Sequence, residues 1–569
     1  MFRPIASTLL AAAVIVSSAC STGNRTASPH DAGVGPVPLY EGLGSNGRKI
    51  TTSSREAQRY FDQGLSFLFA FNHDEAIRSF RKAAELDPHA AMAWWGIAIA
   101  SGPHINFPMM LPESTVVAWD ALGRAQKEAA AGGADAVERE LIDALAARYT
   151  KPSPAGAQAA SAADRAPLDL AYANAMRGVW QRHPRDADVG ALFAEAMMDL
   201  RPWNQWTPEG KAQPGTEEVL GTLDAVMKLR ADHPLALHLY IHATEASRDP
   251  GRADVAANRL RDLQPGLGHL VHMPSHIDVR RGRWRDAVTA NAKAIRADDR
   301  YRAITPKQGF YALYMAHNHH MLAFAAMMIG REKQAIDAID TMVAAIPPEW
   351  AKQYSPIADG YLAMPLEVRV RFARWDEILA APDLEAIFPI ARAMRHYARG
   401  VAFSAKGDTA SARAEQAEFA TARAAVPAEA IFGNNSAADL LAVADRVLDG
   451  EIAYREGKRE QAFASLRNAV ENESKLKYDE PPSWILPARH TLGAALLDSG
   501  KGREAEAVFR DDLVHHPDNG WSLFGLEKSL RLEHRNAEAA RAGAAFAKAW
   551  AGADYAITSP CACLSPGAS

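Results

Sequence analysis

One spacing constrains this chain more than any other. Small and apolar residues return with a period of about 34 residues, too long for one helix or strand and right for a helical hairpin repeated along the chain. Tyr60, Gly64, Phe67, Ala76, Phe80, Ala83 and Pro88 set the pattern. It returns through Leu237, Tyr240, Ala253, Ala257, Leu260 and Pro265, then through Ala287 and Ala294, then through Leu322, Ala323, Ala326, Ala335, Ile339, Met342 and Pro347. It is clear again at Leu492, Gly493, Leu496, Ala505, Phe509 and Pro517, followed by Trp521 and Gly525. Weaker units pass through Gly400 and Ala412, and through Gly450, Ala462 and Ala469. Two helices of a hairpin can touch only where their side chains are small, and larger apolar residues then fill the space between hairpins. Abundant alanine favours helix, and no segment alternates in the manner of a strand. The Ala/Pro/Ser/Gly-rich stretches 151–166 and 424–436 break the period and read as loops.

This is the packing pattern of the tetratricopeptide (TPR) unit. It predicts an all-α fold, a TPR-type α-solenoid in which antiparallel helix pairs form a superhelix over residues 54–556. A chain of 569 residues is too long for one core, and a repeat array removes that difficulty. Outside the array, Arg3, an apolar run from Ile5 to Val16, and Ser17-Ser18-Ala19 before Cys20 resemble a bacterial export signal that ends in a lipidated cysteine. Ser17 departs from that pattern, which prefers an aliphatic residue, so plain cleavage after Ala19 is the alternative. The expectation is residues 1–20 as signal and lipobox, 21–53 as a flexible linker, and 557–569 as a C-terminal tail. The protein would face the periplasm, anchored at Cys20 or soluble there, touching membrane only through the lipid. A net charge of -5 and the absence of a basic run exclude nucleic acid as an expected partner. With three cysteines, Cys20, Cys561 and Cys563, no disulfide framework is expected; the Cys561-Ala562-Cys563 pair could bind a soft metal or form a strained disulfide, but a lone pair of this kind at a frayed terminus is usually neither.

Several segments carry a more specific signature. They are Ala231-Asp232-His233-Pro234 running into His238-Leu239-Tyr240-Ile241-His242-Ala243-Thr244-Glu245, and Gly268-His269-Leu270-Val271-His272-Met273-Pro274-Ser275-His276-Ile277. Arg201-Pro202-Trp203-Asn204-Gln205-Trp206 and Tyr478-Asp479-Glu480-Pro481-Pro482-Ser483-Trp484 belong with them. Together they resemble a group of bacterial TPR-repeat (lipo)proteins with an HLxHMPSH-type motif, similar in layout to the eukaryotic tetratricopeptide repeat protein 38. The resemblance covers most of residues 55–560. It implies the helical fold and supplies no activity.

The histidines form the main candidate site. In the first helix of a TPR unit the second, fifth, ninth and twelfth positions face the inner groove. His238, His242 and Glu245 take such positions in one unit, His269, His272 and His276 in the next, and His317 and His320 in a third. His319 falls at a packing position. Imidazoles three or four residues apart on a helix lie about 5–6 Å apart at Cβ and can share a metal, with an adjacent helix adding a ligand. His238, His242, His269, His272 and His276 are therefore the candidate metal ligands, for Zn, Cu, Ni or Fe; the alternatives are that they contact a peptide without metal, or simply hydrogen-bond one another, buried tyrosines or backbone as a structural network. Glu245 can be a ligand or a base. Pro274 interrupts its helix, which either bends at the cluster or begins later than the period indicates. Trp203, Asn204 and Trp206, together with His104, Asn106 and Phe107, sit in proline-bounded loops that can cap a groove or serve as packing staples.

The expected function is a binding or scaffold protein that holds a peptide, a protein segment or a small ligand in this histidine-lined groove, with or without metal. The alternative is a metal-dependent enzyme, a hydrolase or oxidoreductase, working through the same histidines. The HExxH pattern of zinc proteases is absent.

Overall fold

A computed structural model describes residues 37–152 and 160–564. The expected signal and Cys20 lie outside the described residues. The described chain is all-α, with helix after helix from Arg55–Phe69 to Asn536–Ala549. The strands among the described residues are the two-residue pair Ile431–Phe432 and Asn435–Ser436, a small antiparallel hairpin inside the expected 424–436 loop. Of the other expected loop, residues 153–159 are not described. Its end is instead the start of helix Ala162–Arg182, capped by Ser161 and Asp164, each bonding the backbone of the other. No described helix is long and apolar enough to cross a membrane. The chain divides into two compact units, one containing residues up to Ile277 with Lys293–Met315, the other Asp278–Ala292 with Ala316 onward.

In the first unit, Ser54 and Asn72 cap helices Arg55–Phe69 and His73–Leu86 by accepting backbone N–H bonds through their side chains. The two helices meet at Gly64. A Cβ there would lie 2.6 Å from the Phe80 ring, and one at Gly96 on the following helix would lie 2.5 Å from the same ring. Phe80 is thus clamped between two glycines, fully buried. This is the close approach that the sequence period implied.

The segment expected to be a loose linker, 21–53, is corrected over its described part. Residues 37–53 lie against the first unit. Tyr40 stacks edge-on to Phe67 and its backbone N–H donates to Gln63. Arg48 reaches Asp186 at 2.9 Å and Asp188 at 3.2 Å. Thr51 donates its backbone N–H to Glu138 at 2.8 Å, and Ile50 is buried. The composition looked flexible because glycine, serine and threonine dominate it. Scattered anchors of this kind have no period and leave no trace in a pattern search.

In the second unit the same contact recurs, with Gly493 and Gly525 pressed on the Phe509 ring. Helices Gly502–His515 and Gly520–Leu532 are joined through buried Asp512. It accepts bonds from His490 (2.9 Å), His516 (3.0 Å), Asn519 (2.9 Å) and Ser522 (2.6 Å). The C-terminal tail expected at 557–569 is likewise docked over its described part. Cys563 and Leu564 are buried, the turn Ala562–Leu564 packs on helices Pro389–Ala405 and Ala488–Asp498, and Cys561 and Cys563 form a disulfide.

Two outcomes follow from these cores. Phe80→Ala empties the space between two glycines that have no side chain to fill it, and should cost about 3–5 kcal/mol in urea denaturation. Glu367 on helix Ser355–Arg371 is 1 % exposed and neither carboxyl oxygen has a hydrogen-bond partner. Burial pushes its pKa from 4.5 up to about 8. The folded chain therefore keeps a proton that the unfolded chain releases, and stability falls as pH rises from about 4.5 to about 8. Glu367→Gln, neutral at every pH, should flatten that slope in thermal melts taken across the window.

Candidate functional site

The site belongs to the first unit, where two helices and one turn converge. Helix Pro234–Glu245 begins at His233, whose Nδ1 accepts the Ala236 N–H at 3.3 Å and whose Nε2 is tied to Asp188 at 3.0 Å. Proline at its first position fixes the start. The second segment resolves the question raised by Pro274. Helix Gly268–His272 ends, Met273 stays in right-handed helical geometry, and Pro274–Arg280 continues. The chain breaks its hydrogen bonding at the proline without leaving the helical path, so His269, His272 and His276 keep one face. The turn is Ala70-Phe71-Asn72, with Phe71 at φ 55°, a left-handed conformation uncommon for an aromatic residue.

These elements bring five imidazoles into a closed ring. Successive centroids lie 4.9 Å (His269 to His238), 5.0 Å (His238 to His242), 5.5 Å (His242 to His276), 4.7 Å (His276 to His272) and 5.8 Å (His272 to His269) apart. The five candidate metal ligands of the sequence therefore share one place. One ring nitrogen from each of His238, His242 and His269 lies within 4.8 Å of the others.

The hydrogen bonds fix the direction of the rings. His238 Nδ1 donates to the Phe69 carbonyl at 2.9 Å. His242 Nδ1 donates to Glu245 Oε1 at 2.8 Å, and His276 Nδ1 donates to Glu245 Oε2. In a neutral ring that donates through Nδ1, Nε2 carries a lone pair. His269 Nε2 meets that of His238 at 3.2 Å, and His272 Nε2 meets that of His276 at 2.7 Å. The Nε2 of His242 is buried and has no partner. His269 is set from behind: its backbone N–H donates to Tyr311 Oη at 3.2 Å, and Tyr311 donates to Asp298 at 3.1 Å.

Burial holds the His238 imidazole well below its ordinary 6.5 and lowers that of His242, so both rings are neutral. Burial alone would raise the Glu245 carboxyl, but the positive charge that the His276 and His242 rings carry when protonated, together with their hydrogen bonds, outweighs it and brings its pKa down to about 2. Glu245 is therefore an ionised carboxylate that accepts from two rings. It orients the His242 and His276 rings.

Other sequence candidates separate here. The expected open groove is not what these histidines line: none of the five is more than 7 % exposed. Phe71 lies against His238, His242 and His269, Tyr314 against His269, and Trp203 stands edge-on to His242 at 5.3 Å. Trp203 is held by its indole N–H on Asn106 Oδ1 at 3.1 Å. Trp206 is a staple, donating to the Ala243 carbonyl at 2.8 Å. Asn204 is exposed and accepts from Gln213. His317 and His320 belong to the second unit, on helix Ala312–Met328. His317 is half-buried, while His320 is buried and burial alone lowers its pKa to about 3.

The sequence missed Phe71 and the Phe69 carbonyl, which no motif marks. It also missed a polar cavity in the same unit, walled by His73, Arg148, Tyr172, Glu195 and Asp199 among others. Buried Arg148 binds Asp169 at 3.1 Å and Asp199 at 2.5 Å, and burial raises the carboxyls of Glu195 and Asp199. His104 bridges the two places, with His73 at 4.3 Å on one side and Phe71 at 5.2 Å on the other.

No protein-family model matches the chain, and no curated protein is significantly similar to it. Among solved structures, it overlaps the human IFIT1 dimer with m7Gppp-AAAA at 12% identity over 89% of this chain and 92% of that one, TM-score 0.32. It overlaps the Cut9 and Hcn1 hetero-tetramer of the APC/C at 12% identity over 83% and 76%, TM-score 0.32. Yeast Tom70 gives 12% identity over 87% and 90%, TM-score 0.27. At these scores the overlaps carry no reading of function.

The geometry makes Glu245 testable without any ligand. Glu245→Ala leaves two buried Nδ1–H groups without an acceptor. It should destabilise the protein by about 2–6 kcal/mol, at about 1–3 kcal/mol for each buried donor, measured by denaturation of the metal-stripped chain.

Proposed function

We propose that this protein is a metal-binding protein of TPR type, whose first unit holds a transition-metal ion among His238, His242, His269, His272 and His276. One observation carries the reading. His238, His242 and His276 each commit Nδ1–H to an oxygen, which leaves Nε2 as the ligating nitrogen, and the Nε2 atoms of His238 and His276 each face the Nε2 of a neighbouring ring. Metal-ligating histidines are commonly held this way, the outer nitrogen donating to a carboxylate or a backbone carbonyl. The carboxylate bridging two rings and the buried, unpartnered His242 Nε2 add to it. A donor set of imidazoles without sulfur suits Zn, Cu, Ni or Fe.

The burial of all five rings supports holding the ion over turning over a substrate. Binding therefore stands ahead of the metal-dependent hydrolase or oxidoreductase as the role of the site. The helix pairs would serve as the scaffold on which a protein or peptide partner docks. Export, with a lipid anchor at Cys20 and the folded part on the periplasmic side, completes the proposal on the strength of residues 1–20 alone.

Elemental analysis of chain purified without a histidine tag is the test, with thermal melts of stripped protein after adding each ion. Bound metal is expected, and an ion at about a thousand times its dissociation constant should add about 4 kcal/mol of stability. His242→Ala combined with His276→Ala should abolish both effects while far-UV circular dichroism keeps its helical form. Because burial lowers the His238 and His242 pKa values, these two rings stay neutral and ligating below the ordinary imidazole range. Occupancy should persist at about pH 6 and fall only in more acid solution. Absence of metal, with melting unchanged by all four ions, would sink the proposal.

A further inference from the structure

The second unit holds a different set of donors, sharing no residue with the histidine ring. Helix Ala437–Arg455 buries Glu451, 2 % exposed, whose Oε2 has no hydrogen-bond partner. A carboxylate oxygen of Glu451 and the sulfurs of Cys561 and Cys563 all lie within 4.8 Å of one another. Thr491 donates its hydroxyl to the Cys561 sulfur at 3.5 Å, and Arg455 ties down the Cys563 carbonyl at 2.8 Å. Cys563 is buried and Cys561 is half-buried, so the pair is open to solvent from one side.

Leaving a buried carboxyl oxygen without a partner costs about 1–3 kcal/mol, and an apolar side chain would avoid that cost. In the disulfide state the sulfurs give Glu451 nothing to bind. We propose that reduction of the Cys561–Cys563 disulfide creates a second metal site, in which two thiolates and the Glu451 carboxylate take a thiophilic divalent cation of the zinc class. Three protein ligands of this kind leave a fourth position for water or an added ligand. A water-soluble phosphine reduces the bond: phosphorus gives two electrons to the sulfur pair and keeps the oxygen of one water, and the two water protons go to the two thiols. The cation then displaces both thiol protons, and any proton on Glu451, into solvent. The Thr491 hydroxyl stabilises the Cys561 sulfur as it takes negative charge.

Cobalt(II) titration of the full chain tests this, because thiolate ligands give cobalt an intense near-ultraviolet charge-transfer band that imidazole and carboxylate do not. The histidine ring therefore cannot mimic the signal. Expected is no band before phosphine treatment, and afterwards a band that saturates at a single cobalt ion per chain and is erased by zinc. Cys561→Ser should remove it, and Glu451→Gln should weaken cobalt binding by about tenfold or more. No band in the reduced, still helical chain overturns the proposal, as does a band undiminished in Glu451→Gln. Should Glu451→Gln fail to fold, Glu451→Asp takes its place, with the same weakening expected and an unchanged affinity overturning the carboxylate's role.

Discussion

An aromatic ring clamped between two glycines is the contact on which each unit's packing depends. Phe80 between Gly64 and Gly96, and Phe509 between Gly493 and Gly525, are the same device in the two units. Without side chains at the glycines, neighbouring helices close onto the ring and bury it completely. Any side chain at either glycine would have to push two helices apart, so the contact specifies spacing as well as stability.

Rigid spacing of that sort is what permits a costly interior. Five imidazoles and a carboxylate are withdrawn from water in the first unit. Desolvation is tolerable because the ring nitrogens, the Phe69 carbonyl and Glu245 are placed within bonding distance of one another. Glu245 ties helix Pro234–Glu245 to the segment after Pro274, which makes one side chain both a structural joint and the group that aims two rings. Asp512 plays a comparable joining role in the second unit, accepting four donors at once. Glu367 and Glu451 stand apart from this economy, since both oxygens of Glu367 and Oε2 of Glu451 are buried without a partner.

Much of this was legible beforehand. The repeat spacing of small residues placed the helix pairs, and helical periodicity put His238 with His242, and His269 with His272 and His276, on single faces. The burial of the site was not legible. Phe71, Tyr314 and Trp203 cover the rings from segments remote in sequence, and each looks like ordinary core or loop in isolation. The docking of residues 37–53 and of the C-terminal turn was invisible for a related reason. Single anchors such as Arg48 on Asp188, or Cys563 under its neighbouring helices, follow no period.

The sequence by itself determined the all-α fold and which histidines share a helix face, because both follow from local periodicity along one chain. Only the tertiary structure decided that five of those histidines close into a buried ring, that Glu245 orients two of them through Nδ1, and that Glu451 meets the C-terminal cysteines. Those facts depend on distances between segments far apart in the chain, and the directions of ring nitrogens are set by hydrogen bonds that exist only once those segments pack.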